Sequence, residues 1–383
     1  MKAAGLGGLG VGVLTLAPST LNIRNWFADR DSGARISSDY LIYEESGKYK
    51  LLNEKGRVEL VESNKNKADK VIQYAYDNLQ DKGKITIQPG SYTVDNSIEP
   101  SSDTLLEGYG AEILVKSENF IDAENVSNIT LKGFKLDGNS DEDGYGINIL
   151  NSEHIHIREI KTRNGFGQAV RIGGCRKSSV ESCDIRDTEF YGVSTRGTGS
   201  NSEESDTIAS DIRIVNNHIV NPHHNNIAAY FSEDITIANN FVKGGGHGLI
   251  AITPGRNVTI SNNVVRKLDG PTAPLGEGGE GWIEISVKHS RDDFRTEDVT
   301  VTGNTVKDAG DWGICVREDG SSDYTPKSIT ITGNAISGCD SGIRLDECDS
   351  VAVTGNTLRN NSTHIAESDD ASNTVIENNV ERG

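Results

Sequence analysis

The chain is 383 residues long and carries 57 Asp and Glu against 38 Lys and Arg, a net charge of -19. That balance repels phosphate backbones and excludes nucleic acid as an expected partner. An acidic polysaccharide would need a local basic patch or a bridging cation; plain solubility is the simpler reading of the charge. The five cysteines, Cys175, Cys183, Cys315, Cys339 and Cys348, contain no CxxC pair, which excludes a zinc ribbon or a dithiol redox motif. Cys339 with Cys348, or Cys175 with Cys183, are candidates to close one loop each, and free buried thiols are the alternative.

Residues 1–20 read MKAAGLGGLGVGVLTLAPST, one basic residue followed by an apolar, glycine-rich run of export-signal length. The text resembles the tail of a twin-arginine signal, without the double arginine. An extracellular or cell-surface location is the expectation. Residues 21–65 are read as a leader, with a small antiparallel meander over 40–62 and turns at SGK and EKG. Ala68, Val71, Ile72, Ala75, Tyr76 and Leu79 then follow helical spacing. KITIQPGSYTV at 84–94 comes at once after them. The succession resembles the start of the pectate-lyase-like superfamily, in which a short helix covers the open end of a coil before the first strand. The physical need is to hide apolar interior and strand edges.

From residue 126 one phrase recurs: DIRIVNNHIV at 211–220, DITIANNFV at 234–242, NVTISNNVV at 257–265, DVTVTGNTV at 298–306, SITITGNAI at 328–336, SVAVTGNTL at 350–358 and NTVIENNV at 373–380. Ile214, Ile237 and Ile260 are 23 residues apart. A fixed period in this range marks a solenoid. Apolar residues alternate within each copy, the mark of a strand with one buried face. A second short strand follows near a glycine: GINIL, AVRIG, GVSTR, GLIAI, WIEIS, GICVR and GIRLD. The expected fold is all-β, a right-handed parallel β-helix of about ten coils with a short N-terminal capping helix, over 66–383. Asn217, Asn240, Asn263, Asn304, Asn334, Asn356 and Asn379 fall at one place in each repeat. They are expected to stack in a turn, adopting the left-handed conformation there. Longer spacings mark polar insertions near 198–207, 267–280 and 318–326, which a solenoid projects as loops.

The segment 223–253, HHNNIAAYFSEDITIANNFVKGGGHGLIAIT, resembles a polygalacturonase segment with an Asp-Asp pair and, one coil on, Gly-His-Gly. His247 falls on that family's histidine. Asn225 and Asn226 occupy the Asp-Asp position, and Glu189-Phe190-Tyr191-Gly192 the family's Asn-Thr-Asp-Gly. Hydrolysis needs two carboxylates; uronate β-elimination needs a carboxylate neutraliser, a base and an acid, which amides, histidine and tyrosine supply. The assignment is Asn225 as neutraliser, His247 or His224 as base and Tyr191 as acid. A polar groove without chemistry, with His247 structural in its turn, is the alternative. Glu284 is the candidate acid should the chain hydrolyse, paired with Glu280 or Asp311. Arg171, Trp282, Lys288, Asp311, Trp312, Arg317 and Arg344 are candidate substrate contacts, tryptophans stacking on sugar rings and arginines gripping an anion; loop cover and solvated surface are their bland readings. Asp137, Asn139, Asp141 and Asp143 crowd oxygen ligands that would suit calcium, against a solvated turn.

These residues point to a secreted enzyme acting on a polysaccharide, expected to be acidic. A lyase or epimerase on a uronate-containing glycan comes first. A non-catalytic glycan-binding, cell-surface or spike protein is the rival, and a glycoside hydrolase the third reading. Homotrimer and monomer both remain open.

Overall fold

Alternating β-branched residues explain the architecture, because side chains in a strand point to opposite faces. In the computed structural model the described residues are 38–383, except 81, 109, 139–140, 197–206, 268–282, 289, 291–292 and 319–323; of 141–143 only the backbone is described. The export-like segment 1–20 and residues 21–37 of the leader lie outside them.

Each full coil has three strands, so the coils build three parallel walls. Wall one contains Ala209–Val215, Ser232–Ala238, Gly255–Ser261, Glu297–Thr302, Lys327–Thr332 and Asp349–Thr354. Its inward residues stack in register, Ile214 on Ile237, Ile260, Val301, Ile331 and Val353. All are fully buried. The longer spacings do not break this ladder: Val180 still pairs with Ile214, and Ile260 with Val301. Wall two is made of short strands such as His218–Val220, Phe241–Lys243 and Val264–Arg266. Wall three contains Phe166–Gly173, Tyr191–Ser194, Ile227–Ala229, Ile250–Ile252 and Ile283–Ser286. Strands Thr305–Arg317 and Ala335–Leu345 run unbroken from wall two into wall three.

The asparagine row turns the chain from wall one to wall two, and one part of its expected role is corrected. The residue before each ladder asparagine, not the ladder asparagine itself, takes the left-handed conformation: Asn216, Asn239, Asn262, Gly303, Gly333, Gly355 and Asn378 have φ between 55° and 66°. The ladder asparagine keeps an ordinary φ because its amide must point inward along the stack. Asn263 shows the pattern. Its Nδ2 donates to the Ile237 carbonyl at 2.9 Å and to Asn304 Oδ1 at 3.0 Å. Its Oδ1 accepts from Asn240 N at 2.9 Å and Asn240 Nδ2 at 3.0 Å. The ladder begins on Cys183, whose N–H donates to Asn217 Oδ1 at 2.9 Å.

The helix α1, Ala68–Asp77, buries Ala68, Val71, Ile72, Ala75 and Tyr76. The meander strands Tyr40–Glu45 and Lys48–Asn53 pair antiparallel. The first of them also pairs parallel with Gly83–Ile87, Tyr40 opposite Ile85. Wall one therefore begins inside the leader, since pairing is what covers the edge of the first coil. All five cysteines are buried and unpaired, so neither candidate loop is closed. The aspartate-rich segment enters a strand, Asp141–Leu150, rather than remaining a turn.

Candidate functional site

Wall three carries the site because its outward residues line up coil over coil. Asn148 pairs with Arg171, Arg171 with Ser194, Ala251 with Glu284, Glu284 with Cys315 and Cys315 with Arg344. Glycines open this wall because the next coil passes close. A Cβ on Gly192 would lie 2.6 Å from the Asn226 carbonyl oxygen, and one on Gly245 2.8 Å from that of His224. The glycine run at 244–246 thus lets the chain fold onto His224, whose carbonyl accepts from Gly246 N at 3.0 Å and His247 N at 3.4 Å.

This packing brings His224, His247, Asn225 and Tyr191 together. The rings of His224 and His247 stack with centroids 3.9 Å apart. Tyr191 meets His224 edge-on at 5.2 Å, and Phe190 lies 4.5 Å from the same imidazole. His223 points elsewhere, pairing with Glu189 at 2.7 Å.

Asn225 does not have the role the sequence assigns it. It is 1% exposed, and both ends of its amide are engaged. Its Nδ2 donates to the Gly248 carbonyl. Its Oδ1 contacts His224 Nδ1 at 2.5 Å and accepts from the Tyr230 hydroxyl at 3.3 Å. An amide so enclosed cannot neutralise a substrate carboxylate. It can orient. A carbonyl only accepts, so the Gly248 contact fixes which end of the amide is nitrogen. Oδ1 then faces His224, and Nδ1 must carry the proton.

Tyr230 and Arg196 complete the cluster and were missed in the sequence, because neither sits at the glycine that marks the wall. Their shared position just past the strand was the available signal. The Tyr191 and Tyr230 rings are 5.8 Å apart. Burial pushes the Tyr191 phenol above its ordinary pKa, with Tyr230 and Arg196 pulling it back by hydrogen bonding. Burial raises Tyr230 well above its ordinary value, and the charge of Glu284 adds to this. Both phenols keep their protons at neutral pH. Tyr191 is only 3% exposed, and burial is the largest cause of the shift of both phenols.

The remaining candidates form a second group on the following coils. Glu284 is buried and accepts from Arg317 Nη2 at 3.1 Å. Arg317 and Arg344 lie 5.8 and 5.6 Å from the Trp312 ring, and Arg344 Nε donates to Asp346 Oδ2 at 2.5 Å. Glu284 is therefore engaged by an arginine. Arg171 is held by the Arg196 carbonyl at 3.0 Å and the Tyr145 hydroxyl at 3.3 Å. Lys288 and Asp311 are exposed. Trp282, Glu280 and Asn139 lie outside the described residues, as do the side chains of Asp141 and Asp143. Of the calcium set only the Asp137 side chain is described. Asp137 accepts from Arg163 Nε at 3.0 Å and Asn164 at 2.7 Å. Among the described residues no group of three or more His, Cys, Asp or Glu is arranged to hold a metal.

Three parallel walls, a helix over the first coil and an asparagine ladder define a right-handed parallel β-helix. A family model described as a right-handed β-helix region matches residues 145–321. One described as periplasmic copper-binding protein (NosD) matches 276–383. No curated protein matches the chain. Among solved structures, the surface adhesin PfbA of Streptococcus pneumoniae is similar at 16% identity and a TM-score of 0.65, over 82% of this chain and 87% of that one. An exopolygalacturonase from Thermotoga maritima is similar at 12% identity and 0.61, over 82% and 87%. The A-module of the mannuronan C-5 epimerase AlgE6 of Azotobacter vinelandii is similar at 13% and 0.52, over 82% and 94%. At these identities what is shared is the fold. Among the described residues no helix is long and apolar enough to cross a membrane.

Proposed function

We propose that the chain is an exported enzyme that removes the C5 proton of a uronate residue in an acidic glycan, as a lyase or epimerase. The observation that carries the reading is the contact between His224 Nδ1 and the Asn225 amide oxygen, the amide itself being held by the Gly248 carbonyl, which favours a proton on Nδ1. His224 Nε2 takes the C5 proton. Arg196, beside the phenols, offers its charge to the substrate carboxylate. In elimination the electron pair of the broken C5–H bond forms the C4–C5 double bond, the C4–O bond breaks, and the Tyr191–Tyr230 pair protonates the leaving oxygen. In epimerisation a proton returns to C5 from the opposite face. His247, stacked on His224, holds that ring and is the second base candidate.

Several neighbours of this fold act on glycans by their names, among them the exopolygalacturonase and the epimerase. The adhesin and the periplasmic family description support a location outside the cytoplasm. A hydrolytic pair has less support, because Asn225 and Asn226 stand where carboxylates would be needed and Glu284 is bound to Arg317.

The test is a panel of acidic polysaccharides, with and without calcium, followed for unsaturated uronate ends by ultraviolet absorption and for epimerised residues by proton NMR. His224→Ala is expected to lower turnover by about 10²–10⁴-fold, and His247→Ala to lower it too, with thermal unfolding unchanged. New reducing ends without unsaturation would make the chain a hydrolase, and binding without product would leave the adhesin-like reading.

A further inference from the structure

Wall two carries a row of like charges that the net charge of -19 conceals. Its last outward position reads Lys243, Arg266, Lys307, Ser337, Arg359 and Arg382 on successive coils, each directly opposite the next. Rungs in a parallel sheet are about 4.8 Å apart, so five cations lie in single file over about 24 Å. Arg266, Lys307, Arg359 and Arg382 are exposed. Among the described residues these four make no ion pair. Lys267 follows directly on Arg266, and the acidic residues beside the row in sequence are Asp308 and Glu381.

Stacking like charges opposite one another destabilises a sheet. Elsewhere among the described residues it occurs only as single pairs, Lys132 opposite Arg158 and Lys135 opposite Lys161, each next to an acidic rung, Glu181 beyond Arg158 and Glu112 and Asp184 on either side of the two lysines. On wall one the corresponding file alternates in sign, Glu233, Arg256, Glu297, Lys327 and Asp349. It forms ion pairs between Arg256 and Glu233 and, at 3.1 Å, between Lys327 and Glu297. Earlier on wall two the cations are also neutralised, Arg163 by Asp137 and Glu112 and Arg186 by Asp184. Among the described residues the stretch of this row without ion pairs is thus Arg266 to Arg382.

We propose that this row is a docking track for an extended acidic polysaccharide, separate from the wall-three site and not dependent on it. Cations on five of six successive rungs suit a chain with one carboxylate or sulfate per sugar, whose residue length is comparable with the rung spacing. Duplex DNA presents a charge about every 1.7 Å along its axis, shared between two strands, and does not match a single file on an otherwise repelling molecule.

The test is the affinity of the full chain for polygalacturonate at stepped sodium chloride, with dextran and duplex DNA as comparators. R266Q/K307Q/R359Q is expected to weaken binding about tenfold to a hundredfold at low salt and to flatten the salt dependence. R266K/K307R/R359K is expected to retain both. Turnover of short oligosaccharides, where His224 supports it, is expected to stay unchanged, so failure of the catalytic reading and failure of this one are separable. Undiminished affinity in the glutamine variant, no binding by the natural chain, or a preference for DNA would overturn the proposal.

Discussion

Asn225 illustrates how one buried amide orders its surroundings: its nitrogen is fixed by a carbonyl, its oxygen by a histidine and a phenol. Asn225→Leu keeps the volume and removes both contacts. We expect it to release the His224 tautomer, so that nitrogen-15 NMR, expected to show Nδ1–H in the natural chain, shows the Nε2–H form gaining population in the variant. The same spectrum from both proteins would remove the orienting role. The cysteines give a second prediction. Burial pushes Cys175, Cys183 and Cys348 up to about 12, from an ordinary 9.0. Above pH 9 the unfolded chain loses these protons first, so it binds fewer protons than the folded chain and stability falls as pH rises. The contribution is complete below pH 9 and is lost towards pH 12. Urea midpoints measured at pH 8 and pH 10.5 should therefore drop, and Cys175→Ala with Cys183→Ala should lessen that drop.

The asparagine ladder is an element in its own right, because each rung satisfies the one before it. Asn263 is fully buried between Asn240 and Asn304. Asn263→Ala strands the two donors of Asn240 that it received, and is expected to cost roughly 2–4 kcal/mol in denaturant unfolding. Asn262→Gly, at the adjacent left-handed position, should cost little. If both variants unfold alike, the ladder is not a stabilising element. The row itself was legible in the sequence from its spacing alone. The division of labour within each Asn-Asn or Gly-Asn pair was not, since composition does not say which of two neighbouring asparagines turns the chain. The helix over the first coil was legible from the periodicity of Val71, Ile72, Ala75 and Tyr76. Its partner strand in the leader was not, because a parallel pairing between residues 40 and 85 leaves no local signature.

At the scale of the molecule, repetition converts sequence spacing into neighbourhood. Residues 23 apart become rungs, which is why His224 and His247 stack and why the wall-three cluster could be located at all. Their being together was legible; what each one faces was not. Burial of Asn225 and the pairing of Glu284 with Arg317 depend on side chains from other coils. A solenoid also distributes stability coil by coil. Val375, Ile376 and Val380 in the last strands are exposed by 39–47%, whereas the first coils are fully packed under α1. Hydrogen exchange is expected to run fastest over 363–383 and slowest in the middle coils; uniform protection would argue for a single cooperative unit.

The fate of the sugar C5 hydrogen tests the central claim most directly. Incubation of the full chain with uronate polymers in deuterium oxide, read by NMR, should show that hydrogen lost or replaced by deuterium, and retained with the His224→Ala variant. A glycan that is cut or bound by the natural chain while its C5 hydrogen stays in place would contradict the account.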